Sequence, residues 1–336
     1  MEDSAKPTLD DLARAAGISR TAASYALNHR PGVSDETRRH VLDVAGRIGY
    51  RHQGRSRRAR PRLAGTLGAA LSPTRHRGET PNYYVAELLA GAEGEAHRQR
   101  FQVNVEMWAP ERGPEIPEGT DGMLFLGGAF DPDAIARVDV HAIVVGTSFP
   151  QLQIDAVLAD NRQGVYLAAS HLLDQGCRRV ALLNGPASAA TTNSKLIGYQ
   201  DALQERGLEQ DPSDVALAEF SVEAGEEAAR ALLRRRRRPD GIVAGDDVIA
   251  IGALHAAADL GIAVPEDVAI VGFGNSPTSS LLRPPLSSID VFLQQMGQIA
   301  VRRLIDRLAA PDTDQPYVRS LVSPRLVVRG SSAEES

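Results

Sequence analysis

The sequence predicts an all-α helix-turn-helix head followed by an α/β body of two lobes. Three observations predict it. Residues 8–50 carry three short helical patterns joined by tight turns, residues 63–330 alternate short apolar runs with helical periodicity, and the charge divides between the two regions. Counting Lys and Arg against Asp and Glu gives 13 to 7 over residues 1–62, a charge of +6, and 24 to 36 over the remainder, a charge of −12. A basic head on an acidic body points to a polyanion as partner of the head, with a solvated basic tail as the other reading. The 336 residues suit two or three domains, and with only 4% aromatic residues the packing rests on Ala, Val, Leu and Ile.

The head begins with Thr8 and Asp11, a capping-box-like start in which the hydroxyl can take an orphan N–H and the carboxylate suits the helix N-terminus. Leu9, Leu12, Ala13 and Ala16 then form one helical face. Gly17 is placed to end that helix in the left-handed conformation. Ser19 can cap a second helix only two residues later, and a turn this tight between helices this short is a helix-turn-helix signature. Ser34 can cap a third helix, with Asp35 and Glu36 in its first turn, Val41, Val44, Ala45 and Ile48 on its inner face, and Gly49 beyond its end.

The second helix carries the chemistry. At about 100° per residue, Arg20, Thr21, Ser24, Tyr25 and Asn28 share one arc, with Ala22, Ala23 and Ala26 opposite and Leu27 at the boundary. The small residues allow close packing, while the outer face is hydrogen-bonding and free of acid. Such a face suits a DNA major groove, where Arg can take a guanine edge bidentately and Ser and Asn can hold phosphates. An ordinary polar face on a three-helix bundle is the plainer alternative. Capped helices, tight turn, local charge and the absence of acid together favour DNA.

The stretch TLDDLARAAGISRTAASYALNHRPGVSDETRRHVLDVAGRIGY resembles the headpiece of the LacI/GalR transcriptional regulators across three helices and both turns. The resemblance implies base-edge contacts at Arg20, Thr21 and Tyr25, and phosphate contacts at Ser19, Ser24 and Asn28. Tyr25 stands where the family usually has Arg, so an operator differing from the family's commonest half-site is expected. Residues 51–62 (RHQGRSRRARPR) hold six Arg, one His and no acid. In the family this stretch folds on DNA into a hinge helix that wedges an apolar side chain into the minor groove. Here the wedge position falls on Ala59 and another apolar position on Arg55, and Gly54 weakens the helix. Phosphate attraction through Arg55, Arg57 and Arg58 is expected, with weaker kinking than a larger wedge gives; a disordered basic linker is the other reading.

In the body, strand candidates are 66–71, 101–107, 122–126, 142–145, 179–183, 241–244, 268–272 and 325–328. Helical periodicity covers 85–99, 162–175, 194–206, 222–235, 246–260 and 292–309. Alternation of this kind argues for parallel sheets covered on both faces, with ligands held beyond the strands' carboxyl ends. The resemblance continues through ADNRQGVYLAASHLLDQGCRRVALLNGP and GDDVIAIGALHAAADLGIAVPEDVAIVGFGN. It implies two Rossmann-like lobes of the periplasmic-binding-protein type joined by three crossovers, dimerisation through the body, and a small effector in the cleft, often a sugar or nucleobase or another metabolite. The expected boundaries are a headpiece at 1–50, a hinge at 51–62, a body at 63–330 and a tail at 331–336. Within the body, 63–161 and 292–322 form the N-lobe, while 162–291 and 323–330 form the C-lobe.

The cleft departs from the family pattern. Tyr84 lies near an aromatic pair after the first strand, and Phe220 where relatives often stack an aromatic on the ligand. Lys195 replaces a ligand-clamping Arg, keeping the charge without the planar fork. Asp246 replaces a common Asn, Gly274 replaces the Asp of a GFDD turn with Asn275 beside it, and Gly146 stands where some sugar-binding relatives have an acid. Two readings stay open: an effector unlike the usual neutral sugar, held partly by Lys195 and Asp246, or cleft-edge charges with no effector, Asp246 merely favouring a helix N-terminus.

Other functions find no support. No run of roughly 18 apolar residues could span a bilayer, and the N-terminus lacks the apolar core of a signal peptide, so a cytoplasmic protein is expected. Cys177 is the single cysteine, and no Cys/His cluster suggests a metal. H-E-x-x-H, G-x-S-x-G and Walker A patterns are absent, and GFG at 272–274 lacks the third glycine of a dinucleotide fingerprint. Neither an enzyme nor a cofactor is expected. The arginine run 234–238 reads as a helix C-terminus, with an accessory polyanion site as the alternative; Cys177 and His171 read as structural. The expectation is a dimeric DNA-binding regulator, most simply a repressor on a pseudo-palindromic operator, controlled by a small molecule. Its rivals are an effector-independent regulator and a solute-binding transport component, the latter disfavoured by the head.

Overall fold

The structure, a computed structural model, describes residues 8–19, 22, 23, 26, 33–47, 65–72, 83–108, 116–128, 130–310 and 315–333. The chain separates into two compact units, Met1–Leu63 and Ala64–Ser336, and each is described by itself. In the first, α1 spans Leu9–Ala15 and α2 spans Asp35–Arg47, with Ala22, Ala23 and Ala26 helical between them. Leu12, Ala16, Ala26, Val41, Val44 and Ala45 form its core, with Ile18 and Val33 packed against them.

The second unit holds two six-stranded sheets. The first contains β1 (Gly65–Leu71), β2 (Phe101–Met107), β3 (Gly122–Leu126), β4 (His141–Val145) and β5 (Asp155–Ala159). The second contains β6 (Val180–Asn184), β7 (Val215–Leu217), β8 (Gly241–Ala244), β9 (Ala269–Phe273) and β10 (Ser287–Asp290). The chain then returns to the first sheet as β11 (Arg319–Val322) and to the second as β12 (Arg325–Val327). The orders are β11-β5-β4-β3-β1-β2, parallel throughout, and β12-β10-β9-β8-β6-β7, parallel except for the antiparallel β10–β12 pair. Every residue of β3 and β6 is buried, as strands covered on both faces require.

The covering helices are α3 (Tyr83–Arg98), α4 (Pro132–Ala136), α5 (Asn161–Asp174), α6 (Thr192–Glu205), α7 (Val222–Leu233), α8 (Asp247–Asp259) and α9 (Leu293–Ala309). The chain passes between sheets three times, after β5, after β10 and after β11, as the resemblance implies. Helices α3 and α9 pack through glycines. A Cβ on Gly91 would lie 2.0 Å from the Gln294 carbonyl oxygen, and one on Gly297 would lie 2.2 Å from that of Leu88. Glu95 of α3 binds Arg302 of α9 through two oxygens at 3.0 Å each.

Four strands, β5, β7, β10 and β11, and the short helix α4 lie outside the sequence expectation. Strand β10 is concealed because it is polar: Ser287 and Ser288 are fully buried, and their hydrogen-bonding groups are met inside the lobe. The Ser287 amide donates to Ser331 Oγ at 2.8 Å, and the Ser288 hydroxyl donates to Asp247 at 2.6 Å. Ser331 and Ser332, assigned to a tail from the sequence, are themselves buried in the second lobe, where Ile270 N–H donates to the Ser331 carbonyl at 2.7 Å. Strand β5 opens on a buried acid, Asp155, which receives Arg307 Nε, Arg303 at 3.2 Å and the Val318 N–H at 2.7 Å.

Candidate functional site

The head is built from its caps. Thr8 Oγ1 accepts the Asp11 N–H at 3.3 Å, and the Asp11 carboxylate accepts the Thr8 N–H at 2.9 Å, completing the capping box. Gly17 takes φ +67°, the conformation its position requires. Ser19 then starts the second helix: its Oγ accepts the Ala22 N–H at 3.1 Å and its carbonyl the Ala23 N–H at 2.9 Å. The Ser34 hydroxyl caps α2 through the Thr37 N–H at 3.2 Å. Ala23 and Ala26 are fully buried, which places these two on the inner side of the second helix, while Ala22 is half-buried. The Arg38 guanidinium of α2 reaches 3.2 Å to the Ala26 carbonyl. Of the residues expected to meet DNA, Ser19 is in place as a cap. Arg20, Thr21, Ser24, Tyr25, Asn28, Arg55, Arg57, Arg58 and Ala59 lie outside the described residues.

In the body, the candidate cleft residues gather at the carboxyl ends of the strands. Tyr84, at the start of α3, faces the turn after β4, where its hydroxyl would stand 2.4 Å from a Cβ on Gly146. Gly146 has φ +88° and no side chain, so the tyrosine fills the space an acid would need. Burial pushes the Tyr84 hydroxyl up to about 12, and the nearby charge of Asp246 adds to this. Lys195, on α6, is 5% exposed. Its ammonium donates to the Gly245 carbonyl at 2.5 Å and lies 4.1 Å from the centre of the Phe273 ring. Burial lowers it to about 8, against the attraction of Asp246 and Asp247.

Asp246 is the N-cap of α8 and accepts the Val248 N–H at 2.9 Å. Burial and its neighbour Asp247 raise it to about 6, while the Val248 bond and Lys195 oppose the rise. It therefore caps its helix and also shares the field of Lys195 and Tyr84. Phe220 packs over Gly185, where a Cβ would lie 2.6 Å from its ring. Asn275 adopts φ +49°; its N–H donates to Ser288 Oγ at 2.9 Å, and its side-chain oxygen accepts from Arg329 at 2.7 Å. The structure thus brings Tyr84, Lys195 and Asp246 into one electrostatic group, while the Asn275 side chain is engaged by Arg329.

Two further residues complete the arrangement. The Tyr83 hydroxyl donates to the Asn275 carbonyl at 3.3 Å, joining the start of α3 in one lobe to the turn after β9 in the other. Asp247 is a buried hub: it accepts the Ser276 N–H at 2.6 Å, the Ser279 hydroxyl at 2.9 Å and the Ser288 hydroxyl at 2.6 Å. The adjacent tyrosines at 83–84 and the two acids at 246–247 were the available signals; each pair divides its roles in a way sequence alone does not reveal.

The arginine run follows the end of α7. Arg234 caps that helix, Arg235 lies 3.7 Å from Asp214, and Arg238 lies 3.3 Å from Asp267. The Cys177 thiol donates to the Asp240 carbonyl at 3.3 Å, and burial pushes it up to about 11, an unreactive setting. His171 meets the Ser332 hydroxyl at 2.8 Å, tying the C-terminal segment to α5. Among the described residues, no group of His, Cys, Asp and Glu could hold a metal, and no helix is long and apolar enough to cross a membrane.

A capped helix-turn-helix head ahead of two parallel α/β lobes defines a DNA-binding transcription regulator of the kind with a periplasmic-binding-protein-like body, not an enzyme. Comparison with known proteins agrees: residues 8–53 match the bacterial regulatory proteins of the lacI family, and residues 169–332 match the periplasmic binding protein-like domain. The HTH-type transcriptional regulator MalR of Streptomyces coelicolor is 30% identical over 97% of this chain and 96% of its own. The ribose operon repressor of Haemophilus influenzae is 26% identical over 96% of this chain and 98% of its own. Among solved structures, the transcriptional regulator CelR in complex with cellobiose matches 97% of this chain and 100% of its own, with a TM-score of 0.69 and 27% identity. The chain belongs to the lacI family of bacterial regulatory proteins.

Proposed function

We propose that the protein is a repressor that binds a pseudo-palindromic operator as a homodimer in the cytoplasm and answers to a small molecule held between its lobes. Arg20, Thr21 and Tyr25 read base edges, Ser19, Ser24 and Asn28 hold phosphates, and Arg55, Arg57 and Arg58 add phosphate attraction beside a small wedge at Ala59. Two-fold symmetry of the dimer demands a matching symmetry of the site. The observation that carries the effector reading is the gathering of Tyr84, Lys195 and Asp246 at the strands' carboxyl ends, with Phe220 over Gly185 and Asn275 at the opposite turn. Cellobiose in the related CelR complex supports a cleft ligand here.

The ligand differs in chemistry from a neutral sugar read by carboxylates. Gly146 and Gly274 offer no acid, and Tyr84 closes the space beside Gly146. A ligand acts only through unequal affinity for two lobe arrangements, so its effect on operator binding equals that difference. The second reading, regulation without an effector, is favoured by one observation: the Lys195 ammonium already donates to the Gly245 carbonyl.

Operator selection from a random DNA pool supplies the site for testing. Titration calorimetry with a metabolite panel then decides between the readings. A binder that changes operator affinity supports the first; no binder, with operator affinity unaltered by cell extract, supports the second. Arg20→Ala is expected to cost about 1–3 kcal/mol on the selected operator and to relax one base position. Equal loss on random DNA would assign Arg20 to phosphate.

A further inference from the structure

We infer that Arg38 is a positioning residue for operator reading, fixing the pose in which the second helix presents its outer face. The sequence leads to the expectation of a second helix over 19–28, on which the Ala26 carbonyl falls among the last four, which lack partners within a helix. The Arg38 guanidinium supplies a donor to that carbonyl at 3.2 Å from twelve residues away, on a different helix.

The packing beneath explains why a polar fastening matters. Ala23 and Ala26 are fully buried, and Ala26 joins a core of Leu12, Ala16, Val41, Val44 and Ala45. Methyl groups present low ridges, and low ridges set neither the rotation nor the axial position of a helix firmly. Directional hydrogen bonds must then fix the pose. The Ser19 cap does not do this, because its Oγ accepts the Ala22 N–H of its own helix. Arg38 does it from another helix, through the Ala26 carbonyl. Arg38 is itself held at the first turn of α2, where its N–H donates to the Ser34 carbonyl at 2.9 Å and the Ser34 hydroxyl caps the helix.

A bidentate base contact tolerates little tilt, whereas a phosphate contact made by a long side chain tolerates more. Loss of the Arg38 bond should therefore harm sequence reading and spare general attraction to DNA. The inference rests on the proposed base contacts of Arg20, Thr21 and Tyr25.

The test uses the full chain and two duplexes, the selected operator and a random sequence, across a salt series. Arg38→Met keeps the aliphatic stem and removes the donors. It is expected to weaken operator binding about tenfold or more while leaving random-duplex affinity and the salt slope unchanged. Two outcomes overturn the inference: operator affinity equal to wild type, or parallel loss on both duplexes with a slope reduced by about one, which would make Arg38 a phosphate contact. If R38M fails to fold by circular dichroism, Arg38→Gln takes its place, a good helix former whose shorter, uncharged side chain falls short of the Ala26 carbonyl, and the same outcomes decide. R20A measured alongside separates the two claims. A normal R20A removes the proposed base contact; a defective R20A with a normal R38M removes the positioning role alone.

Discussion

Lys195, buried, and Asp246, half-buried, both resist ionisation because their surroundings take them out of water. Asp246 is raised to about 6, so the stability it contributes is present below about pH 4 and disappears as pH rises through 6. Lys195 is lowered to about 8, so its contribution is present above about pH 10 and disappears as pH falls through 8. Near neutrality both are charged at a cost, and their attraction offsets part of it. Asp246→Asn keeps a helix cap, since Asn serves that position as well as Asp. Its stability relative to the wild type should therefore rise between about pH 4 and pH 6 in urea unfolding, and a constant difference would show that Asp246 titrates normally. The double variant K195M/D246N should match or exceed wild-type stability at pH 7, because it removes two charges that are each held out of water at a cost. At this scale the sequence revealed the unusual residues of the cleft but not their partners. Lys195 and Asp246 stand out as substitutions, whereas Asp247, adjacent and equally acidic, is bound to three donors contributed by residues 29 to 41 positions away.

Helices α3 and α9 show how an element's packing can depend on missing atoms. Gly91 and Gly297 allow backbone to approach backbone, and Glu95 then ties the two helices through Arg302. Gly297→Ala should cost about 1–3 kcal/mol, read as a lowered Tm, because its Cβ would meet main chain that cannot turn aside. The hydrogen bond from Arg302, with those from Arg98 and Gln99, overcomes burial and holds Glu95 down to about 2. Its contribution is present above about pH 4.5 and lost as pH falls through 2. Glu95→Gln should therefore lose stability at neutral pH and shed less of what remains on acidification, as followed by urea unfolding at several pH values. Elements with apolar repeats, such as β3 and β6, were legible from sequence. Strands β5 and β10 were not, because Asp155 and the serines at 287 and 288 interrupt the apolar signal. Each polar group is satisfied by segments distant in sequence, Arg307 and Val318 for the acid and Ser331 and Asp247 for the serines. Local pattern cannot disclose a partner more than 40 residues away.

For the whole molecule, the division of charge sets the expected response to salt. A head and hinge of +6 on a body of −12 should bind DNA with a steep salt dependence arising from the N-terminal region alone. Arg57→Ala with Arg58→Ala should flatten the log-log slope by about one unit per lost phosphate contact; an unaltered slope would remove the hinge from the interface. The three passages between sheets have a consequence for dissection of the protein. Each lobe is assembled from separated stretches of chain: the first sheet needs β11 beside β5, and the second needs β12 beside β10. A gene fragment ending after β5 would encode five strands of a six-stranded sheet and omit the α9 partner of α3. Neither lobe can be expressed as one uninterrupted piece. To obtain one alone, the coding sequence would have to be spliced or circularly permuted so that the returning strand follows directly on its neighbours.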